Sequence, residues 1–121
     1  MQGLHLTGDL SGCRCAPALL TDVSRLEARC IEAVAAAGLT QVHQLFHRFA
    51  AGSGITGVVL LAESHLAVHT WPELGAVTLD VYVCNYGCDN SAKARTLFEA
   101  LCAAFDPLSL QSHALQRGAP L

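Results

Sequence analysis

Charged residues are scarce in this chain. They make up 14% of its 121 residues, whereas ordinary globular domains carry about 25%. The one lysine and six arginines are scattered along the sequence. A nucleic-acid binder usually clusters its basic residues, so we expect no nucleic-acid partner. Because apolar residues reach 52%, we expect a second copy of the chain to cover part of the surface, in a homo-oligomer.

Long apolar runs are also missing. No run reaches the roughly 18 residues that a transmembrane helix requires, so we expect no membrane partner. The opening MQGLHLTGDL lacks a basic region followed by an apolar stretch, and therefore does not resemble a signal peptide. These features predict a cytoplasmic protein, in which the six cysteines stay reduced.

Hydrophobic periodicity predicts one domain, residues 1–121, with six short strands and two helices. Asp22 can cap the first helix, and Asn90 or Asp89 can cap the second. The strand patterns lie at 3–10, 39–49, 55–63, 65–71, 76–84 and 108–116. We expect an α+β fold, a two-layer sandwich with a mainly antiparallel sheet and both helices on one face. The other face would remain for a partner or a substrate.

The segment PELG (72–75) separates two strand patterns and predicts a short β-hairpin. If Trp71 pairs near residues 75–77, the same register carries Cys84 opposite residues 63–66. A thiol is therefore expected beside Ser64. Because side chains alternate along a strand, His69, Asp80 and Cys84 would share one polar face.

A metal site and a hydrolase triad would both use residue types that are present here, but the residues do not have the spacing that either site requires. His65 and His69 would stand about 13 Å apart on a strand, too far for one metal ion, so we expect no metal site. Ser64, His69 and Asp80 are the residue types of a hydrolase triad, but the glycines of G-x-S-x-G are missing around Ser64. Taken one at a time, these residues are also explained by ordinary packing.

The string AESHLAVHTWPE (62–73), followed by LDVYVC (79–84), resembles the pyruvoyl-dependent S-adenosylmethionine decarboxylase proenzymes of bacteria and archaea. The resemblance continues through GLHLTGDLSGC (3–13), FHRF (46–49) and SHALQRG (112–118). It implies S-adenosylmethionine as the substrate and spermidine biosynthesis as the purpose. It also implies a dimer of processed αβ protomers, in which two sheets meet in a four-layer αββα arrangement.

The resemblance implies that the backbone is cut between Glu63 and Ser64. Ser64 Oγ would attack the Glu63 carbonyl and convert the amide to an ester. β-Elimination and loss of ammonia would then leave a β chain, residues 1–63, and an α chain, residues 64–121, that begins with a pyruvoyl group derived from Ser64. Processing needs a base and support for the oxyanion. The resemblance assigns these roles to His69 and the Thr56 hydroxyl.

The resemblance also assigns roles in turnover. The substrate amine would form a Schiff base with the pyruvoyl ketone, which serves as the electron sink when CO2 leaves. Cys84 would return a proton to Cα. Phe49 and Trp71 would line the adenosyl pocket. Leu66 would contact the nucleoside, and Glu73 would bind the ribose hydroxyls.

One segment departs from the resemblance. CNYGCDNSAKA (84–94) stands where many relatives have Cys-Gly and an acidic turn, which leaves the substrate open. Arginine or ornithine is the alternative substrate, with Asp80 or Asp9 facing its distal cation. An unprocessed regulatory subunit is a non-enzymatic alternative. Four positions match the family without a role that the sequence explains: His5, Asp9, Arg48 and Arg117.

Overall fold

A computed structural model describes residues 1–50 and 53–119 of the chain. The strands are β1 (Gly3–Ser11), β2 (Gln41–Arg48), β3 (Ile55–Leu61), β4 (Ser64–Trp71), β5 (Ala76–Cys84) and β6 (Ser109–Arg117). The helices are α1 (Ala18–Thr21), α2 (Val23–Ala36) and α3 (Ser91–Phe105). The six predicted strands and two predicted helices are confirmed. The sequence prediction missed α1, because a four-residue helix is too short to show a helical period.

Both long helices begin at side chains suited to capping. The Asp22 carboxylate accepts two backbone N–H groups from the first turn of α2, at 3.0 and 3.4 Å. At α3, Asp89 accepts the Ser91 N–H at 2.9 Å, and this hydrogen bond lowers the pKa of the Asp89 carboxyl. None of the helices in the described part of the chain is long and apolar enough to cross a membrane.

The six strands form one antiparallel sheet in the order β2-β3-β4-β5-β1-β6. Alternate residues of the four central strands are buried, and α2 and α3 pack on that face. Val59, Leu66 and Val81 are neighbours in this layer, each with 0% exposure. Helices on one face of an antiparallel sheet make a two-layer α+β sandwich, as predicted.

The hairpin between β4 and β5 closes through a 3-10 turn, Pro72–Leu74. The next residue, Gly75, has a φ of 59°, in the left-handed region that favours glycine. Trp71 pairs with Ala76, and His65 pairs with Tyr82. This register agrees with the one expected from PELG.

No helix of the described chain packs on the other face of the sheet. A row of cross-strand neighbours on this uncovered face consists of Leu60, His65, Tyr82, His5 and Leu115. The two leucines are 46% and 47% exposed. Apolar side chains that stay exposed on a sheet face are typical of a surface that contacts another chain.

Thr70 is a buried polar residue of β4, with 4% exposure. Its hydroxyl donates to the Leu20 carbonyl at 2.8 Å and accepts the Ile55 N–H at 3.0 Å. These bonds tie β4 to α1 and to the start of β3. The residue next to Ile55 is Thr56, so Thr70 also supports one of the predicted site residues.

Replacing Thr70 with valine keeps the shape of the side chain but leaves a buried N–H and a buried C=O without their partner. We expect the free energy of unfolding to fall by about 1–3 kcal/mol, measured by urea denaturation. Thr96→Val is the matched control, because this exposed hydroxyl bonds within its own helix. The control should change stability by less than about 0.5 kcal/mol. Equal losses in the two variants would contradict the expectation.

Candidate active site

Ser64 and Cys84 meet at the open end of the β4–β5 hairpin. The Cys84 N–H donates to Ser64 Oγ at 3.1 Å, so the expected approach of the two residues is confirmed. Cys84 is 7% exposed, and Ser64 is half-buried. The N–H holds the hydroxyl oxygen in place and leaves the hydroxyl hydrogen available to a base.

The turn that follows Cys84 is held by several hydrogen bonds. The Tyr86 N–H points to Cys84 Sγ at 3.4 Å, and Asn90 Nδ2 donates to the Cys84 carbonyl at 2.9 Å. The Asn85 side chain accepts the Asn90 N–H at 2.8 Å and donates to Ser91 Oγ at 3.0 Å. The turn in the CNYGCDN segment (84–90), where the sequence departs from the resemblance, thus holds Cys84 in position.

Glu63 carries backbone strain at the expected cleavage position. Its φ is 56°, and with Ala62 it connects Leu61 to Ser64, which are paired across β3 and β4. The left-handed conformation costs a residue with a side chain about 1–2 kcal/mol. Such strain concentrates at functional sites. Here it lies on the residue whose carbonyl Ser64 would attack.

Thr56 and His69 form a second group of predicted residues. They are direct partners across β3 and β4, and Thr56 Oγ1 lies 3.1 Å from His69 Nδ1. A cavity of about 290 Å³ beside them is also lined by Phe49, Trp71 and Glu73. Phe49 is 66% exposed and Trp71 is 38% exposed, so their rings are accessible to a ligand. Five predicted site residues therefore converge at this end of the sheet.

The two groups lie at opposite ends of β4. Ser64 begins the strand and His69 lies five positions further on, which corresponds to about 16 Å. Within one copy of the chain, neither His69 nor Thr56 reaches Ser64. The same distance separates the members of the hydrolase triad that the sequence suggested.

One expectation from the sequence needs correction, and another is confirmed. Leu66 has 0% exposure and packs in the helix-covered core, so the structure contradicts a substrate contact by its side chain. Asp80 shares a sheet face with His69, but its carboxylate lies 3.4 Å from His5 Nε2 instead. The shared face of His69 and Asp80 was predicted correctly, and the contact with His5 is new.

Sequence reasoning missed a group that we call the His5 cluster, which consists of His5, His65, Asp80, Tyr82 and Arg117. Arg117 Nη1 lies 3.2 Å from His5 Nδ1, and the His65 and Tyr82 ring centres are 5.5 Å apart. Burial lowers the pKa of His65, which favours the neutral form of its ring. The residues come from four strands, and no sequence spacing indicated that they would meet.

Four of the other cysteines have raised pKa values. Burial raises the pKa of Cys30 to about 12 and that of Cys102 to about 11. It also raises the pKa values of Cys13 and Cys15, which pack against the core. High pKa values keep these thiols protonated, as expected for residues that only fill space.

The fold and the site together define a two-layer α+β domain whose reactive residues lie at the two ends of one β-hairpin strand. A family model described as S-adenosylmethionine decarboxylase matches residues 4–118. The chain is 43% identical over 82 residues to the S-adenosylmethionine decarboxylase proenzyme of Syntrophomonas wolfei. The aligned region covers 68% of this chain and 63% of that protein. It is 34% identical over 116 residues to the proenzyme of Archaeoglobus fulgidus, covering 96% and 97%.

A solved structure agrees with these relatives. The adenosylmethionine decarboxylase from Aquifex aeolicus matches with a TM-score of 0.86 and 32% identity, over 98% of this chain and 92% of that one. This chain belongs to the S-adenosylmethionine decarboxylase family. It spans less than two thirds, 63%, of the length of the Syntrophomonas wolfei relative.

Replacing Glu63 with glycine removes the steric cost of its positive φ. If this strain promotes the expected cut, Glu63→Gly should slow cleavage by about tenfold, the effect of roughly 1.4 kcal/mol. Cleavage can be followed by intact mass after pulse labelling in a cell-free translation reaction.

Glu63→Gln is the control for this variant, because it removes the charge and keeps the strained backbone. The glutamine variant should be cut close to the wild-type rate. Equal rates for the glycine and glutamine variants would show that strain does not contribute.

Proposed function

We propose that this chain is a proenzyme that cuts itself between Glu63 and Ser64, and that the processed protein decarboxylates S-adenosylmethionine. Family membership supports the reaction class. The observation that carries the proposal is the 3.1 Å hydrogen bond from the Cys84 N–H to Ser64 Oγ. It places a thiol-bearing residue beside the serine from which this family makes its cofactor.

The surroundings of residue 64 fit a pyruvoyl group formed from the serine side chain. The oxygen that must attack is already anchored by a backbone donor, and the preceding residue is strained. The pyruvoyl group supplies a ketone that binds the substrate amine and accepts the electron pair released with CO2. Cys84 is the proton donor that we assign to the substrate Cα, and the bonds to its backbone and sulfur hold it there.

A second copy of the chain would complete the site. Thr56 of β3 and its partner His69 of β4 lie too far along the sheet from Ser64 of their own copy to serve it. Two uncovered sheet faces packed in opposite directions would bring the His69 end of one copy to the Ser64 end of the other. The exposed leucines of this face support such packing, which would give the four-layer αββα dimer.

The His69 end also has the properties of a nucleoside site. Its cavity presents the accessible rings of Phe49 and Trp71, and the exposed carboxylate of Glu73 can accept hydrogen bonds from ribose hydroxyls. Aromatic faces attract cations such as a sulfonium. Of the two carboxylates that could face the distal cation of arginine or ornithine, Asp80 already faces His5, which leaves Asp9.

Two substitutions separate cleavage from turnover. Ser64→Ala should remain one uncut chain, because no hydroxyl can attack the Glu63 carbonyl. Cys84→Ala should still be cut but release CO2 at least about 100-fold more slowly, the usual effect of losing a general acid. Intact mass reports cleavage, and CO2 release from labelled S-adenosylmethionine, arginine and ornithine reports both turnover and substrate.

The control is Cys88→Ala, an exposed cysteine four positions further on, which should behave as wild type. A wild-type chain that stays uncut would favour the unprocessed regulatory subunit. Release of CO2 from arginine or ornithine alone would favour the alternative substrate. Full activity of Cys84→Ala would show that another group donates the proton.

Complementation between two inactive variants can test whether residues from two copies of the chain form one site. Ser64→Ala cannot be cut but still carries His69, whereas His69→Gln carries Ser64 without its base. When the two are produced together, we expect the His69→Gln chain to be cut and the Ser64→Ala chain to remain whole. Tags of different mass identify the chains.

Each variant produced alone is the control and should stay uncut. If the His69→Gln chain also stays uncut in the mixture, the site is not shared between copies. If it is cut when produced alone, His69 is not the base for processing.

A further inference from the structure

His65 is well placed to control the reactive position, because its backbone nitrogen is bonded to residue 64. The planes of the His65 and Tyr82 rings are tilted by only 30°. The His5 ring on β1, beyond β5, points its edge at His65, and the two ring centres are 6.4 Å apart. On its other side, His65 pairs with Leu60 of β3. The half-buried ring therefore has neighbours on both adjoining strands.

The contact with Arg117 determines which ring nitrogen of His5 carries a hydrogen. An arginine side chain only donates hydrogen bonds. Its 3.2 Å contact with His5 Nδ1 therefore requires that nitrogen to carry no hydrogen. The other ring nitrogen, Nε2, then carries a hydrogen; it is buried, lies 3.4 Å from Asp80 Oδ1 and makes no hydrogen bond within the described part of the chain. Arg117, His5 and Asp80 therefore lie next to one another in a row.

Tyr82 connects this row to Cys84. The guanidinium carbon of Arg117 lies 5.7 Å from the centre of the Tyr82 ring, a distance suited to a cation–π contact. Gly3 is the direct partner of Cys84 across β1 and β5. A Cβ at Gly3 would lie only 3.0 Å from the Tyr82 hydroxyl oxygen and 2.8 Å from the Val83 carbonyl oxygen. The missing side chain lets Tyr82 extend to the strand end that carries Cys84.

We propose, as an extension of the proposed function, that His5, Asp80 and Arg117 are positioning residues for residue 64. They hold the His65 ring against Tyr82, and the His65 backbone then holds residue 64 beside Cys84. None of the three needs to touch the substrate. Their effect on rate can still be large, because a displacement of about 1 Å at a reacting group costs about 100-fold.

The charges around His65 predict a pH dependence of the rate that can test this proposal. Burial is the main cause of the lowered pKa of His65. The neighbouring His5 lowers this pKa further, Asp80 raises it, and the positive charge of Arg117 lowers it. A protonated His65 would be repelled by Arg117 and would leave the Tyr82 ring. The rate should therefore fall as the pH falls through the pKa of His65. The groups that face His65 are His5 from β1, Leu60 from β3, Asp80 and Tyr82 from β5, and Arg117 from β6.

Two substitutions should move this pKa in opposite directions. Arg117→Met removes a positive charge, so the pKa of His65 should rise. Asp80→Asn removes a negative charge, so the pKa should fall. NMR of ¹³C-labelled histidine measures the pKa, with His65→Gln to assign the signal. The low-pH fall of the decarboxylation rate, which we call the acid limb of the pH–rate profile, should move to higher pH in Arg117→Met and to lower pH in Asp80→Asn.

At pH 7.5 we expect Arg117→Met to lower kcat about tenfold with little change in KM, since residue 64 is misplaced but the nucleoside site is not. Arg117→Lys keeps the charge and should leave the acid limb where wild type has it. Arg29→Met, at an exposed arginine of α2 on the far side of the sheet, is the matched control and should change neither quantity. If Arg117→Met does not fold, Arg117→Gln takes its place with the same expected direction.

Shifts of the same sign in the two charge variants would overturn the proposal. So would an acid limb that stays in place while the pKa of His65 moves. Failure of the proposed function would look different, because the wild-type chain would then stay uncut or release no CO2. The His65 titration can be repeated in uncut Ser64→Ala, and unchanged pKa values there would reject the positioning role independently of activity.

Discussion

Antiparallel pairing of β4 with β5 joins Trp71 to Ala76 and His65 to Tyr82. Because side chains alternate on a strand, a slip of one residue would exchange the buried and uncovered faces of β4. It would also carry Cys84 away from Ser64, whose hydroxyl oxygen now accepts the Cys84 N–H. The left-handed Gly75 closes the turn that sets this register. The hairpin register is therefore the constraint on which the candidate chemistry depends.

The length of β4 creates the second constraint. A strand is stiff and extended, so residues five positions apart cannot share one small site. The Thr56–His69 pair and the Ser64–Cys84 pair are consequently separate in one copy, although each pair is well formed. The uncovered sheet face lies between them and carries exposed apolar side chains. A chain with few charges and a bare sheet face is thus suited to a site that two copies assemble together.

The His5 cluster adds a third element to this arrangement. It occupies the middle of the uncovered face and joins β1, β4, β5 and β6 through ring contacts and charges. A neutral His65 can pack against Tyr82, whereas a charged one would meet Arg117. Electrostatics on this face and the geometry at residue 64 are therefore coupled through one peptide unit. The turn after Cys84 provides the corresponding restraint from the other side, through Asn85 and Asn90.

The sequence by itself determined the α+β class, the six strands, the two long helices and the hairpin, because these depend on local periodicity and on turn residues. It also brought Cys84 to Ser64, since that contact follows from counting along a single hairpin. Tertiary structure alone decided the rest. The burial of Leu66, the pairing of Asp80 with His5 and the distance from Ser64 to His69 depend on which face of the sheet the helices cover and on how distant strands align. Contacts between strands far apart in sequence, such as β1 with β6, leave no periodic signal in the chain that forms them.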